Sequence, residues 1–173
     1  MQALTFWKRV TMDETDFLSE FIQLLHAEEI SYAVVGGQAV NAYADPLVSL
    51  DLNVVVAAQD LKRLELLLRE HFQVEQFPNS LNASCPGSDL RVQVQTDPRY
   101  AAFVQRASPH NVLGLMLPVA DVRDVLQGKI WAAQDEKRRP SKRQKDLADI
   151  ARLIERYPDL RARVPDDILE RLI

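Results

Sequence analysis

The chain contains the stretch VVGGQA at residues 34–39 and, a short distance further on, the stretch SLDLNVVV at residues 49–56. The first stretch has the pattern of an apolar strand that ends at the glycine pair Gly36-Gly37. Without side chains, these residues can adopt positive φ and allow a ligand to approach the backbone closely. Residues 38–43 can continue as a helix, whose free N-terminal amides would add to an anion site. The sequence therefore predicts a phosphate-binding turn between a strand and a helix.

The second stretch predicts an apolar strand with two polar residues near its start. Asp51 and Asn53 are separated by one residue, and side chains at positions i and i+2 of a strand point to the same face. Oxygen atoms at this place are candidate ligands of a metal ion. The alternative is that both residues only satisfy backbone groups where a buried strand begins. A simple tight turn is likewise the alternative for the glycine pair.

Together the two stretches resemble the nucleotidyltransferase superfamily, whose members carry Gly-Gly or Gly-Ser after the first strand, Asp-x-Asp on the second and a third acid on a later strand. In particular they resemble small bacterial proteins related to the AbiEii toxins, in which Gly-Gly-x-Ala precedes Thr or Ser-x-Asp-apolar-Asp. The resemblance implies that the acids hold two magnesium ions. It also implies that a nucleoside triphosphate contacts Gly36, Gly37, Gln38 and Ser49.

Two later segments extend the resemblance toward the C-terminus. The segment LPV at residues 117–119 leads into a predicted helix that carries Lys129, and KDLADI at residues 145–150 is similar to the family's Arg or Lys-x-x-Asp-apolar-x-Asp segment. The resemblance therefore adds Lys129 to the nucleotide-binding residues.

Amides replace two of the three expected metal carboxylates. Asn53 stands at the second acidic position, and Gln93 stands at the third, where the resemblance places it across from Asp51. Alternation along residues 90–96 puts Gln93 on the polar face of its strand. Asp51 is then the charged metal ligand, with Asn53 and Gln93 at the other catalytic positions, and we expect weak binding of Mg2+. Asp89 and Asp97, which flank this strand, are the alternatives for the missing acid.

The sequence favours a nucleotide-binding protein of nucleotidyltransferase fold whose transfer activity is reduced or lost. One alternative is an active, metal-dependent enzyme related to toxin–antitoxin systems, which moves a nucleoside monophosphate from a triphosphate to an acceptor hydroxyl. The other is a non-catalytic module that binds RNA or a partner protein. A basic run at residues 137–145 is a candidate contact for phosphate or RNA, with a solvated linker as the ordinary interpretation.

Composition limits the remaining classes. A chain of 173 residues with 47% hydrophobic content can bury one core, and we expect a single domain over residues 1–173. Its one cysteine, Cys85, excludes an intrachain disulfide and a cysteine-based metal site. No apolar run reaches the roughly 18 residues needed to span a membrane, so we expect a cytoplasmic protein with no membrane partner.

Periodicity predicts an α+β or mixed α/β fold. We expect helices at about residues 13–28, 38–43, 60–71 and 119–134, a further helix capped by Ser141 and ended by Pro158, and a short last helix after Pro165. We expect strands at about residues 31–35, 50–56, 74–77, 81–84, 90–96, 101–107 and 112–117, with Pro118 ending the sheet. A small mixed sheet with helices on one side would form a core over about residues 1–117, followed by a helical subdomain over about residues 118–173.

Overall fold

The computed structural model describes residues 16–172, so the first residues of the helix predicted from residue 13 lie outside the described range. The helices are α1 (Phe17–Ala27), α2 (Gly36–Tyr43), α3 (Leu61–His71), α4 (Val122–Gln134), α5 (Pro140–Arg156) and α6 (Asp166–Leu169). The strands are β1 (Tyr32–Val35), β2 (Asp51–Val56), β3 (Gln73–Phe77), β4 (Ser80–Ser84), β5 (Arg91–Gln95), β6 (Ser108–Val112) and β7 (Leu115–Val119). Segments of 3-10 helix cover Ala58–Asp60, Pro98–Arg106 and Pro158–Arg163.

The strands form one mixed sheet in the order β3-β4-β5-β2-β1-β7-β6. Strands β2 and β5 run parallel, as do β1 and β7, and the other neighbours are antiparallel. This sheet with its helices confirms the predicted mixed α/β class.

Alternation along β2 and β5 gives the centre of the sheet one apolar and one polar face. Leu52, Val54, Val92 and Val94 are fully buried, because they all point to the face that packs into the hydrophobic core. The residues between them point to the opposite face, which α4 approaches. The candidate polar residues lie on that second face.

Strand β1 is the fifth of the seven strands and joins β2 to the β6–β7 hairpin. It pairs with β2 over four residues, from Tyr32–Val56 to Val35–Asn53. Its pairing with β7 is much shorter, with Val34 opposite Val119 and a hydrogen bond of 3.0 Å from Ala120 N to Val34 O. The β1–β7 contact is therefore a narrow seam in the sheet.

The strand predicted at residues 101–107 is wrong, because this region belongs to the 3-10 helix Pro98–Arg106. Asp97 caps the helix by accepting a hydrogen bond from the Arg99 backbone, and Pro98 suits its first turn. Tyr100 and Phe103 both point inward at the three-residue spacing of such a helix.

Three other predicted boundaries are also wrong. Residues 112–117 are not one strand but part of the β6–β7 hairpin, which turns at Leu113 and Gly114, both with positive φ. Pro118 lies inside β7 and does not end it. Helix α5 begins at Pro140 with Arg139 in the N-cap position, so Ser141 is not its cap.

None of the helices in the described part of the chain is both long enough and apolar enough to cross a membrane.

Candidate functional site

The strand register aligns a row of amide side chains across the polar face of the sheet. Asn53 on β2 is paired with Gln93 on β5, and Gln93 is paired in turn with Asn82 on β4. Val35, the last residue of β1, is the partner of Asn53 on the other side. The structure therefore brings Asn53 and Gln93 together beside the start of α2.

Asp51 lies two residues before Asn53 on β2, and its partner on β5 is Arg91, two residues before Gln93. The expectation that Gln93 stands across from Asp51 is therefore wrong, because Gln93 is paired with Asn53, two residues further along β2. Arg91 Nε donates a hydrogen bond of 3.0 Å to Asp51 Oδ1. A guanidinium group thus neutralises the one carboxylate that the sequence assigns to the metal site.

Gly36 has a φ of +70°, as predicted for the glycine pair. A Cβ atom placed on it would lie 2.2 Å from Asn53 Nδ2, which is far inside van der Waals contact. A Cβ atom on Gly37 would meet only Ser49 Oγ at 3.8 Å. Gly36 is therefore required by the backbone conformation and by the adjacent amide, whereas Gly37 has space beside it.

Gln38 and Ser49 shape the connection between α2 and β2. Only 3% of Gln38 is exposed, and its Nε2 donates a hydrogen bond of 3.2 Å to the Ser49 carbonyl. Ser49 Oγ lies 3.3 Å from the Asp51 carbonyl and 3.4 Å from the Asp51 amide nitrogen. These contacts hold the start of β2 against α2 and so fix the position of Asp51.

Lys129 belongs to a buried ion cluster between α4 and α5. Its Nζ lies 3.2 Å from Asp146 Oδ1 and 2.9 Å from Asp149 Oδ2. Arg138 Nε contacts Asp146 Oδ2 at 2.6 Å, and Arg152 contacts Asp149 Oδ1 at 2.8 Å. The resemblance assigned Lys129 to nucleotide binding, but its ammonium group is shared between two buried carboxylates.

A narrow cavity of about 80 Å³ separates the amide row from α4. Gly36, Asn53, Gln93 and Lys129 contribute to its wall. Within the described residues, Asn53 Oδ1 is buried there without a hydrogen-bond partner. Such a space accommodates a few water molecules.

Beside this cavity lies a larger depression of about 990 Å³, which we call the basic groove. One wall is formed by Asn82, Gln93 and Gln95 on the sheet, and the opposite wall by the connection between α4 and α5. Among the described residues, its basic side chains are Arg91, Arg99, Lys137, Arg138, Arg139 and Lys142, and its acidic ones are Asp97, Asp135 and Glu136. Its basic residues outnumber its acidic ones.

Sequence reasoning missed Arg91 as a member of the site, although it singled out Gln93 on the same strand. It noted Lys142 only as one residue of the basic run. The alternation of Arg91, Gln93 and Gln95 along β5 was the available signal, because residues two apart share a face.

Comparison with protein families gives a match over residues 38–173 to the family described as Nucleotidyl transferase AbiEii toxin, Type IV TA system. The match covers well over half of the chain. The chain belongs to this family. A search of curated proteins gives no match.

Solved structures share the fold of this AbiEii-family chain at low sequence identity. The antibiotic-resistance factor ANT(2'')-Ia superposes with a TM-score of 0.58 at 12% identity, over 88% of this chain and 94% of that one. A nucleotidyltransferase-like antigenic protein from Paracoccidioides brasiliensis has a TM-score of 0.51 at 21% identity, over 84% of this chain and 77% of that one. A Thermotoga maritima protein described as a nucleotidyltransferase has a TM-score of 0.52 at 14% identity, over 77% of this chain and 91% of that one. The AbiEii-family chain therefore has the nucleotidyltransferase fold.

The side chains at this site do not fit a centre for two magnesium ions. Asp51 is the one carboxylate on strands β2 and β5, and Arg91 already neutralises it. Asp124 and Asp146 also line the cavity beside Asn53 and Gln93, but Arg106 contacts Asp124, and Lys129 and Arg138 contact Asp146. Arg99 holds Asp97 at 2.7 Å, and hydrogen bonds from Arg99 lower the pKa of that carboxyl. Across residues 16–172 no three acidic, histidine or cysteine side chains form a group suited to a metal. Neither Asp89 nor Asp97 completes such a site.

Proposed function

We propose that this AbiEii-family protein binds a nucleoside triphosphate and that its metal-dependent nucleotidyl transfer is reduced or lost. The observation that carries the proposal is the pairing of Asp51 with Arg91 in a row whose other members, Asn53 and Gln93, are neutral. This row therefore carries no uncompensated negative charge that would attract divalent cations.

Two-metal phosphoryl transfer explains why this charge matters. One ion lowers the pKa of the attacking hydroxyl and the other neutralises the leaving group, so the protein must gather enough negative charge to hold both ions. Amide oxygens such as those of Asn53 and Gln93 are neutral and hold magnesium more weakly than carboxylates do. We expect weak binding of Mg2+ in the native protein.

The triphosphate would bind where β1 passes into α2. The first amides of α2 provide hydrogen-bond donors to an anion, and the space beside Gly37 leaves room for it. Ser49 borders this space. Proteins of the same fold include, by their descriptions, an adenylyltransferase of lincosamide antibiotics, which supports a nucleotide as the ligand.

An active nucleotidyltransferase remains the second candidate, because the family is described as nucleotidyl transferase toxins of toxin–antitoxin systems. In that case Asp51 would serve as a metal ligand after Arg91 had moved away. The basic groove would then receive an acceptor whose hydroxyl takes up the nucleoside monophosphate.

Restoring the missing carboxylates tests the proposal. The double variant Asn53→Asp/Gln93→Asp should unfold at a lower temperature than the native protein near neutral pH, because the new carboxylates repel each other and Asp51. Millimolar magnesium with a nucleotide should raise its melting temperature by mass action. The melting temperature of the native protein should show no such rise. Thermal melts of both proteins with and without magnesium measure the difference.

The variant Asn82→Asp/Gln95→Asp is the matched control, since it adds the same charge to the same face without rebuilding the family's acidic positions. Its magnesium response should stay small. An equal magnesium response in the native protein and in Asn53→Asp/Gln93→Asp would contradict the proposal. The native site would then already hold metal, and the active enzyme would be the better interpretation.

A further inference from the structure

We propose that Arg91 and Lys142 replace the metal ions of this site and bind the phosphate groups of a nucleotide without a divalent cation. The inference rests on the proposed nucleotide-binding function. It states which positive charges neutralise the phosphate groups, and it assigns this role to the side chains of Arg91 and Lys142.

Arg91 is positioned by the sheet. Its place opposite Asp51 follows from the parallel register of β2 and β5, and the 3.0 Å contact to Asp51 orients the guanidinium. The side chain is 57% exposed and lines the basic groove. A guanidinium has five N–H donors in a planar fork that matches phosphate oxygens. One of them is used on Asp51, so Arg91 can bind a phosphate while it stays in place.

Lys142 reaches the same groove from the first turns of α5. Burial lowers the pKa of its ammonium group, as does the neighbouring Arg138, whereas the Asp51 carboxylate acts in the opposite direction. Arg91 also lowers the pKa of Lys142, and both side chains line the basic groove. Arg138 is itself held by Asp146 at 2.6 Å, which anchors the α4–α5 connection beside the groove.

The charge of this arrangement equals that of a metal site. Three carboxylates carry three negative charges and two magnesium ions carry four positive ones, so a complete two-metal centre has a net charge of one positive unit. Asp51, Arg91 and Lys142 together have the same net charge. Neutral amides at Asn53 and Gln93 also remove the repulsion that carboxylates without metal would exert on a phosphate.

The inference predicts an effect of magnesium opposite in sign to that in a metal-dependent enzyme. Magnesium complexed to a triphosphate removes two of its negative charges, so the complex is attracted less strongly to fixed cations. Added magnesium should therefore weaken triphosphate binding to the native protein. In a site that needs metal, magnesium would strengthen it.

Titration calorimetry of the full chain with ATP and with inorganic tripolyphosphate, each in EDTA and in magnesium, tests the inference. In EDTA the native protein should bind both ligands. Arg91→Gln and Lys142→Gln should each weaken binding about tenfold, because each removes a charge-assisted contact to phosphate. The controls Arg69→Gln and Lys62→Gln on α3 change the same charges outside the groove and should bind as the native protein does. Thermal melts verify that each variant is folded.

The outcomes separate the two proposals. ATP binding that requires magnesium, or that is unchanged in both Arg91→Gln and Lys142→Gln, overturns the cationic site and leaves nucleotide binding intact. Binding of tripolyphosphate without binding of ATP supports the cationic site and overturns the proposed function. Binding of neither ligand overturns both.

Discussion

Gly36 and Asn53 show at the scale of single residues how closely the site is packed. The positive φ of Gly36 and the 2.2 Å that would separate a Cβ atom from Asn53 Nδ2 are two independent reasons for glycine at this position. Sequence reasoning found the first reason from the glycine pair. The second could not be predicted, because it depends on how β1 and β2 pair.

The variant Gly36→Ala should destabilise the protein by about 2 kcal/mol or more. A side chain at positive φ costs roughly 1–2 kcal/mol, and moving Asn53 adds to that cost. Gly37→Ala is the matched control, since its Cβ atom has space and alanine is favoured over glycine in a helix by about 1 kcal/mol. It should leave stability unchanged or raise it. Urea unfolding of both variants gives the comparison.

The double variant Gly36→Ala/Asn53→Ala separates the two contributions. Removing the Asn53 amide should recover the largest steric part of the loss, but leave the cost of the positive φ and of a 3.0 Å approach to the Cβ atom at position 53. If Gly36→Ala were no more destabilising than Gly37→Ala, the described packing of Asn53 against Gly36 would be wrong.

At the scale of the secondary structure elements, the sequence predicted which face of a strand each residue occupies better than it predicted which residues pair across strands. Alternation placed Asp51 and Asn53 on one face and Gln93 on a polar face, as the structure has them. The register between β2 and β5 was not predictable, because two strands far apart in sequence can slide without changing either pattern. For that reason Arg91 was missed as the partner of Asp51.

Tertiary contacts explain the incorrect strand at residues 101–107. Phe103 stacks on Trp131 of α4 with ring centroids 5.9 Å apart, and Tyr100 packs against the same indole at 5.1 Å. The 3-10 helix Pro98–Arg106 brings both rings to one side, whereas a strand would point them to opposite faces. The secondary structure propensity of residues 101–107 could not indicate this packing, because Trp131 lies on a different element.

The ion cluster between α4 and α5 yields a prediction for this pair of helices. Lys129→Met should destabilise the protein by about 3 kcal/mol, because Asp146 and Asp149 would remain buried with less compensation. Lys145→Met, an exposed change on α5, should alter stability by no more than about 0.5 kcal/mol. Chemical denaturation measures both.

Nucleotide affinity distinguishes this packing role from the binding role that the resemblance assigned to Lys129. For Lys129→Met at a temperature where the variant is folded, a structural role predicts nearly native affinity for ATP. A large loss of affinity with little loss of stability would return Lys129 to the nucleotide site.

At the scale of the whole molecule, buried tyrosines link stability to alkaline pH. Burial raises the pKa of Tyr32 on β1, Tyr43 on α2 and Tyr100 on the 3-10 helix from the ordinary 10.0 to about 12. Such groups stabilise the folded protein below the unfolded pKa, and that contribution is lost as pH rises through the folded pKa. Stability should therefore fall between pH 10 and about 12.

Urea unfolding across this pH range, together with tyrosinate absorbance, measures the effect. Tyr43→Phe removes one titrating group and should make the dependence shallower. If Tyr32, Tyr43 and Tyr100 ionised with midpoints near pH 10.0 in a protein that is still folded, the burial described for them would be contradicted.

The narrow seam between β1 and β7 has a consequence for the growing chain. Strand β1 finds its partner β2 early, but its other edge is covered only by β7, which is synthesised much later. Until then, the apolar residues Ala33, Val34 and Val35 lie beside backbone groups that are not yet paired. An open strand edge of this kind can pair with another chain. During the interval between the synthesis of β1 and that of β7, this strand edge is therefore open to aggregation.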